Sequence, residues 1–306
     1  MTPGTPLQKI HFDPSIEVGG GFDTVNKNAR VAAALAGRPG FEFVSPRPVD
    51  RSQLLAIHDE TYVHAVISGS PEHLARSACV GWSPDHVASW LGSTGGVLAA
   101  ASAVLNGDPV AGSLSSGLHH ARFESGAGYC TFNGLALAAH EAIVAGAKGV
   151  LVIDFDAHGG GGTATIIERL HQRGIRGIRQ IYVSTNSFDS YHSNERSTHV
   201  LSGPDTYLDD IAEALGSVDD SARFDLVLYN AGMDPHEKAG GPHGIDTATI
   251  AERERMVFDW CADRGYGVAW VLAGGYASND FGLDQVAELH ALTAEAAARI
   301  NRRSTN

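Results

Sequence analysis

The stretch VLVIDFDAHGGGGT, Val150–Thr163, decides the fold. It opens on four consecutive branched apolar residues, turns polar at Asp154, Asp156 and His158, and ends in a run of glycines. A short apolar run without alternation fits a strand covered on both faces. The polar residues then lie just beyond its carboxyl end, the edge of an open parallel sheet where ligand sites form. Working outward, the same order recurs. Pro109–Leu114 precedes His119 and His120, Leu226–Asn230 precedes Asp234, and Val268–Leu272 precedes Gly274, Gly275 and Tyr276. Further strands are expected at Phe41–Val44 and Gln180–Ser184. Helices are expected at Thr24–Leu35, Pro84–Leu105, Gly134–Ala145, Thr163–Arg173, Asp205–Leu215, Thr247–Asp263 and Leu283–Ile300. This alternation predicts an α/β fold: one three-layer domain over residues 1–306, with a mostly parallel central sheet and helices on both faces. Gly37, Gly107, Gly146 and Gly174 fall where helix C-caps belong. The polar segment Asp189–His199 reads as a surface loop.

Asp156 and His158 are two apart, so at a fraying strand end both side chains can face one point. Asp234 reaches the same edge from another strand. Three protein ligands with a fourth position open are the pattern of a catalytic metal site. The oxygen-rich set suits Zn²⁺, and also Fe²⁺, Co²⁺ or Mn²⁺. Any one of these aspartates, taken singly, would be explained as a helix cap; it is the set on one edge that argues for a metal. Asp154, closing the apolar run itself, is expected to face inward, where a buried carboxylate needs a partner; orienting a histidine is the role expected of it. With Ser184 it could also hold a monovalent cation such as K⁺.

His119 and His120 could set one ring on a metal-activated water and the other on a leaving group. Most of the 15 histidines have no such role; His140, His171 and His290 lie on helices and read as surface or packing residues. Tyr276, after two glycines, could hydrogen-bond a carbonyl oxygen as charge develops on it. Gly128 and Tyr129, in GAGYCTFN (126–133), read as one wall of a narrow apolar substrate channel.

Length and composition bound the rest. A chain of 306 residues can bury roughly 75% of its unfolded surface. A formal charge of −13 without a basic stripe argues against a nucleic-acid partner. The three cysteines, Cys79, Cys130 and Cys261, have neither CxxC spacing nor an even number, which fits a reducing cytoplasm. Met1 to Ile10 shows no signal peptide, and no apolar run reaches the roughly 18 residues that span a membrane. The oligomeric state is left open.

At SGLHHA (116–121), GAGYCTFN, VLVIDFDAHGGGGT, NAGMD (230–234) and LAGGY (272–276) the chain resembles the histone deacetylase family of the arginase/deacetylase superfamily. An earlier piece, His58 to Val63, is similar to that family's HxxxYV helix. The resemblance spans residues 25 to 300. It implies a deacetylase that attacks an amide carbonyl with metal-activated water, on an acylated amine or acetyl-lysine substrate. It implies Asp156, His158 and Asp234 as ligands, His120 as general base, and His119, paired with Asp154, as electrostatic or acid partner. It implies Tyr276 as the carbonyl-polarising group. A carboxylate beside His119 would raise its pKa and leave His120 the more neutral ring.

The chain also departs from the pattern. Where the family has a second histidine and then Asn or Asp, Gly159 and Gly161 stand, so His120 is expected to lack a side-chain partner. The family's FPG segment is missing from Ser187–Ser202, which leaves acetyl-lysine, acetylated polyamines and amide-bearing secondary metabolites all open as substrates. Two other readings remain. An arginase-type ureohydrolase with two manganese ions would need a second Asp where Gly160 stands. A ligand-binding homologue with impaired catalysis would be consistent with Gly161.

Overall fold

The computed structural model describes residues 7–16, 23–219 and 221–303. Eight strands form one sheet: β1 Gln8–His11, β2 Phe41–Val44, β3 Val110–Ser113, β4 Val150–Asp154, β5 Ile178–Ser184, β6 Ser197–Leu201, β7 Leu226–Ala231 and β8 Val268–Leu272. Their order is β2-β1-β3-β8-β7-β4-β5-β6, and every neighbouring pair is parallel. Ten helices connect them: α1 Asp23–Ala36, α2 Arg51–Leu54, α3 Glu60–Ser68, α4 Glu72–Ala75, α5 Pro84–Leu105, α6 Gly134–Val144, α7 Gly161–Gln172, α8 Tyr207–Gly216, α9 Thr247–Arg264 and α10 Leu283–Arg303.

Strand periodicity sorts the core into two layers. Leu151, Ile153, Val227, Tyr229 and Trp270 face one side and pack with α1, α8, α9 and α10. Val150, Val152, Leu226, Leu228 and Ala269 face the other and pack with α3, α5, α6 and α7. Both faces are therefore apolar, which is why the central strands read as unbroken hydrophobic runs. Side-chain size is matched across strands as well. Gly112 sits in register with Trp270, and a Cβ on Gly112 would lie 2.2 Å from the indole.

The structure corrects the sequence reading in three places. The segment Asp189–His199 is not wholly loop, because β6 begins at Ser197 as a partly exposed edge strand with little apolar signal. The strand β1 has no counterpart in that reading; its four residues include buried Gln8 and His11, which hide the apolar pattern. Third, α5 is long and apolar enough to cross a membrane by length and composition, although half of its most apolar window is buried within the protein. Met1 to Pro6 lie outside the described residues, so the leader expectation is untouched there.

His58 closes the front of this layer. Its Nδ1 lies 2.8 Å from the Arg122 carbonyl and its Nε2 accepts the Asn133 N–H at 3.1 Å. One ring nitrogen donates and the other accepts, so only the neutral ring satisfies both partners. Burial pushes its pKa from 6.5 down to about 4. The unfolded state therefore takes up this proton first as pH falls, and stability held by the neutral ring is complete above pH 6.5 and drains away toward pH 4. We expect acidification from pH 7 to pH 4.5 to cost the protein about 2 kcal/mol more than it costs a His58→Phe variant. Urea unfolding of both proteins at the two pH values checks this, and parallel losses would show that His58 is not the titrating group.

Candidate active site

The strands β3, β4, β5, β7 and β8 all deliver their following loops to one edge of the sheet. There Asp156, His158 and Asp234 each offer one atom within 4.8 Å of the others, the one such group of His, Cys, Asp or Glu among the described residues. Asp156 and Asp234 are buried and His158 is partly open. Backbone donors hold the carboxylates. Asp156 accepts the His158 N–H at 2.9 Å and the Gly274 N–H at 2.6 Å, and Asp234 accepts the Ala157 N–H at 2.9 Å. The second Asp234 oxygen, Oδ2, is 3.0 Å from His158 Nδ1 yet makes no hydrogen bond.

An orphaned carboxylate oxygen at the meeting point of two acids and an imidazole fits a divalent cation. The electrostatics agree. Burial and the adjacent Asp156 push the Asp234 carboxyl up. Burial opposes ionisation of Asp156 too, but His119 and His158 hold its carboxyl well below the usual range. Burial likewise works to lower His158, and the two carboxylates outweigh it, raising the ring to about 11. This excess of facing negative charge is what a cation would relieve. A two-manganese centre finds no further ligands, since position 160 is glycine and the cluster stops at three residues among those described.

The residues expected to hold K⁺ have protein partners. Asp154 accepts from Asn230 at 2.9 Å and lies 3.0 Å from His119 Nδ1, while Ser184 Oγ lies 2.8 Å from His199 Nε2. The Asp156 carbonyl accepts the Tyr182 hydroxyl at 2.9 Å.

The histidine pair lies against the three-residue cluster, with ring centroids 3.9 Å apart. Asn133 stitches the pair down. As N-cap of α6 it accepts the Ala136 N–H, and its amide donates to the carbonyls of His119 and Ala121. His119 pairs with Asp154, whose carboxylate lies 3.0 Å from its Nδ1. Burial lowers its basicity, but Asp154 and Asp156 more than offset this and raise the ring to about 9. His120 moves the other way, lowered by burial and by the charge on His119.

One expectation fails here. His120 does not lack a partner, because its Nδ1 lies 2.9 Å from Oδ2 of Asp189. Asp189 follows β5, in the stretch read as plain surface loop. The signal that could have revealed it is the run Gly159–Gly162, since consecutive glycines without a turn to make imply that other groups come close.

The pocket above the cluster has a volume of about 600 Å³ and is lined by Cys79, His120, Gly128, Tyr129, His158, Asn186, Phe188 and Tyr276. Gly128 and Tyr129 thus stand where the channel reading placed them. Gly128 is needed as glycine: its φ is +49° and a Cβ would fall 2.4 Å from the His120 ring. Phe188, which the sequence reading missed, packs its ring edge-on to His120 at 5.1 Å. Beneath the Gly274–Tyr276 turn, buried Lys27 donates to the Ala273 carbonyl, and burial lowers its amine to about 8. A larger groove of about 810 Å³ opens between α5 and α6 at the amino-terminal edge; no histidine lines it, and we place no chemistry there.

This parallel sheet, with the cluster of Asp156, His158 and Asp234 and the paired histidines at its carboxyl edge, has the arginase/deacetylase architecture. Comparison with known proteins bears that out. Residues 23–292 match the histone deacetylase domain family. An uncharacterised protein of Picosynechococcus sp. is 32% identical over 242 residues, covering 76% of this chain and 78% of its own. Histone deacetylase 2 of Arabidopsis thaliana is 27% identical over 247 residues, covering 76% of this chain and 63% of its own. In fold, the crystal structure of an acetylpolyamine aminohydrolase from Burkholderia pseudomallei superposes with a TM-score of 0.74 at 17% identity, over 96% of this chain and 99% of that one. The chain belongs to the histone deacetylase family, a family of deacetylases and amidohydrolases.

The close approach of Gly274 to the cluster yields a test. A Cβ there would lie 2.0 Å from Asp234 Oδ2 and 2.7 Å from Asp156 Oδ2. Gly274→Ala should weaken divalent-ion binding about 10–100-fold, the cost typical of disturbing the groups around a metal ligand. Competition with a chelating dye reads the affinity, and far-UV circular dichroism reports whether the fold persists. Unchanged affinity would remove Asp234 Oδ2 from the ligand set.

Proposed function

We propose that this chain is a metal-dependent amidohydrolase that cleaves an acyl group from an amine, acting as a single catalytic domain in the reducing cytoplasm. The observation that carries this is the convergence of Asp156, His158 and Asp234, one carboxylate oxygen without a hydrogen bond, with His158 lining the same pocket as His120 and Tyr276. Zn²⁺ suits the mixed nitrogen and oxygen donors, and Fe²⁺, Co²⁺ or Mn²⁺ are the alternatives the chemistry allows.

A divalent ion held by these residues supplies a Lewis acid that polarises the acyl carbonyl and activates the attacking water. The rest of the chemistry belongs to side chains. His120, kept neutral by burial, takes the proton from the attacking water. His119, protonated against Asp154, offsets charge as the carbonyl oxygen becomes anionic, and the proton that His120 has taken from the water passes to the departing amine. The Tyr276 hydroxyl donates a hydrogen bond to that same oxygen.

The slim pocket walls, Tyr129 and Phe188 with Gly128 between the chain and His120, suit an unbranched acyl-amine arm. Acetyl-lysine and acetylated polyamines both present one.

Two variants test the reading on a panel of acyl-amines with metal-reconstituted enzyme. Asp234→Ala should lose metal and activity together. Tyr276→Phe should keep the metal while kcat falls roughly 10²–10³-fold, the loss expected on removing one oxyanion donor. An active Asp234→Ala protein, or an unimpaired Tyr276→Phe protein, overturns the assignment of that residue.

A further inference from the structure

We propose that Asp189 is the carboxylate that orients His120, supplied by the loop after β5 in place of a side chain at position 161, and that Gly159 and Gly161 are the space this loop requires. The inference rests on the amidohydrolase reading for its kinetic consequence, while its structural content stands independently.

Three donors converge on the Asp189 side chain, which is only 4% exposed. Oδ2 faces His120 Nδ1 at 2.9 Å and the Gly162 N–H at 3.2 Å, and Oδ1 pairs with the Arg122 guanidinium. An ionised carboxylate only accepts, so the proton of a neutral His120 must sit on Nδ1. Nε2 then carries the lone pair, as a base requires.

The glycines are matched to this loop. A Cβ on Gly159 would lie 2.3 Å from the Asp189 carbonyl oxygen, and a Cβ on Gly161 would lie 2.5 Å from Oδ1 and 2.6 Å from that same carbonyl. A side chain at 161 and a carboxylate from 189 therefore exclude each other. The backbone joins in: the Gly159 N–H donates to the Phe188 carbonyl at 2.7 Å and the Gly161 N–H to the Asp189 carbonyl at 3.1 Å. The Gly161 and Gly162 donors belong to the first turn of α7, whose N-cap, Gly160, offers no side chain. Asp189 thus also satisfies amides that a helix start leaves orphaned. The same docking sets Phe188 into the pocket wall beside His120, so catalytic orientation and channel shape come from one loop.

The bland alternative is that Asp189 only caps α7. Removing a cap lowers stability and leaves the reacting groups as they were. The deciding readout is therefore the tautomer of His120, measured by long-range ¹H–¹⁵N correlation on histidine-labelled protein and assigned by the signal lost in His120→Asn. The wild type should carry its proton on Nδ1. In Asp189→Ala the tautomer should shift toward protonated Nε2, and kcat should drop about 10–100-fold with KM unchanged. Asp189→Asn should keep the wild-type tautomer and most of kcat, because the amide oxygen still accepts from Nδ1 and Gly162 while the half-buried Arg122 side chain turns toward solvent. Gly161→Ala should reproduce the Asp189→Ala kinetics with Asp189 still present. An unchanged tautomer and kcat in Asp189→Ala, with only stability lowered, would overturn the proposal. A tautomer that follows residue 189 in a protein that cleaves no acyl-amine would instead sink the functional reading and leave this inference in place.

Discussion

Two buried carboxylates, Asp156 and Asp234, face each other across the ends of β4 and β7, and the architecture around them answers that constraint. Burying even one unpaired charge costs several kcal/mol, and two like charges a few ångströms apart compound it. The protein meets the cost with backbone amides from Gly274, Ala157 and His158, and with the rings of His158 and His119. One Asp234 oxygen, Oδ2, makes no hydrogen bond and has only the His158 ring 3.0 Å away. Such a group is a standing cost in a protein without an ion and a binding determinant in one with it.

Rigidity at this edge comes from bonds that run between loops. Asn133 ties the histidine pair to the start of α6, the Thr163 N–H donates to the His119 carbonyl at 3.0 Å, and Tyr276 N–H donates to the Ala239 carbonyl at 2.9 Å. His58 holds the Arg122 carbonyl, and Arg122 in turn holds Asp189, so the layer packed under α3 is mechanically continuous with the groups around His120. Reacting groups placed this way need little reorganisation when charge develops. Glycine recurs where backbone must come within contact distance of a functional group, as Gly274 does at Asp234 and Gly162 at the His120 carbonyl. The absent side chain is the functional feature at those positions.

Much of this was legible from residues alone. The apolar runs that became β3, β4, β7 and β8 are covered on both faces, and their unbroken hydrophobicity follows directly. The clusters after them could be placed on one edge because parallel strands all point the same way. What stayed hidden had weak local signals. Gln8 and His11 sit buried in β1 at the cost of its pattern, and β6 is an edge strand with polar residues on an open side. Asp189 looks like any acidic loop residue, and nothing local to it says that it reaches His120, 69 positions away.

The sequence by itself determined the class of fold, the sheet edge that carries the polar clusters and the identity of the three residues that converge there. Strand periodicity and connection direction are local properties, and they suffice for those conclusions. Only the tertiary structure decided which carboxylate serves His120, because that contact depends on how closely the loop after β5 can approach α7. The approach is governed by side chains missing at Gly159 and Gly161, and whether an empty position is filled by solvent or by another segment is settled by packing in three dimensions.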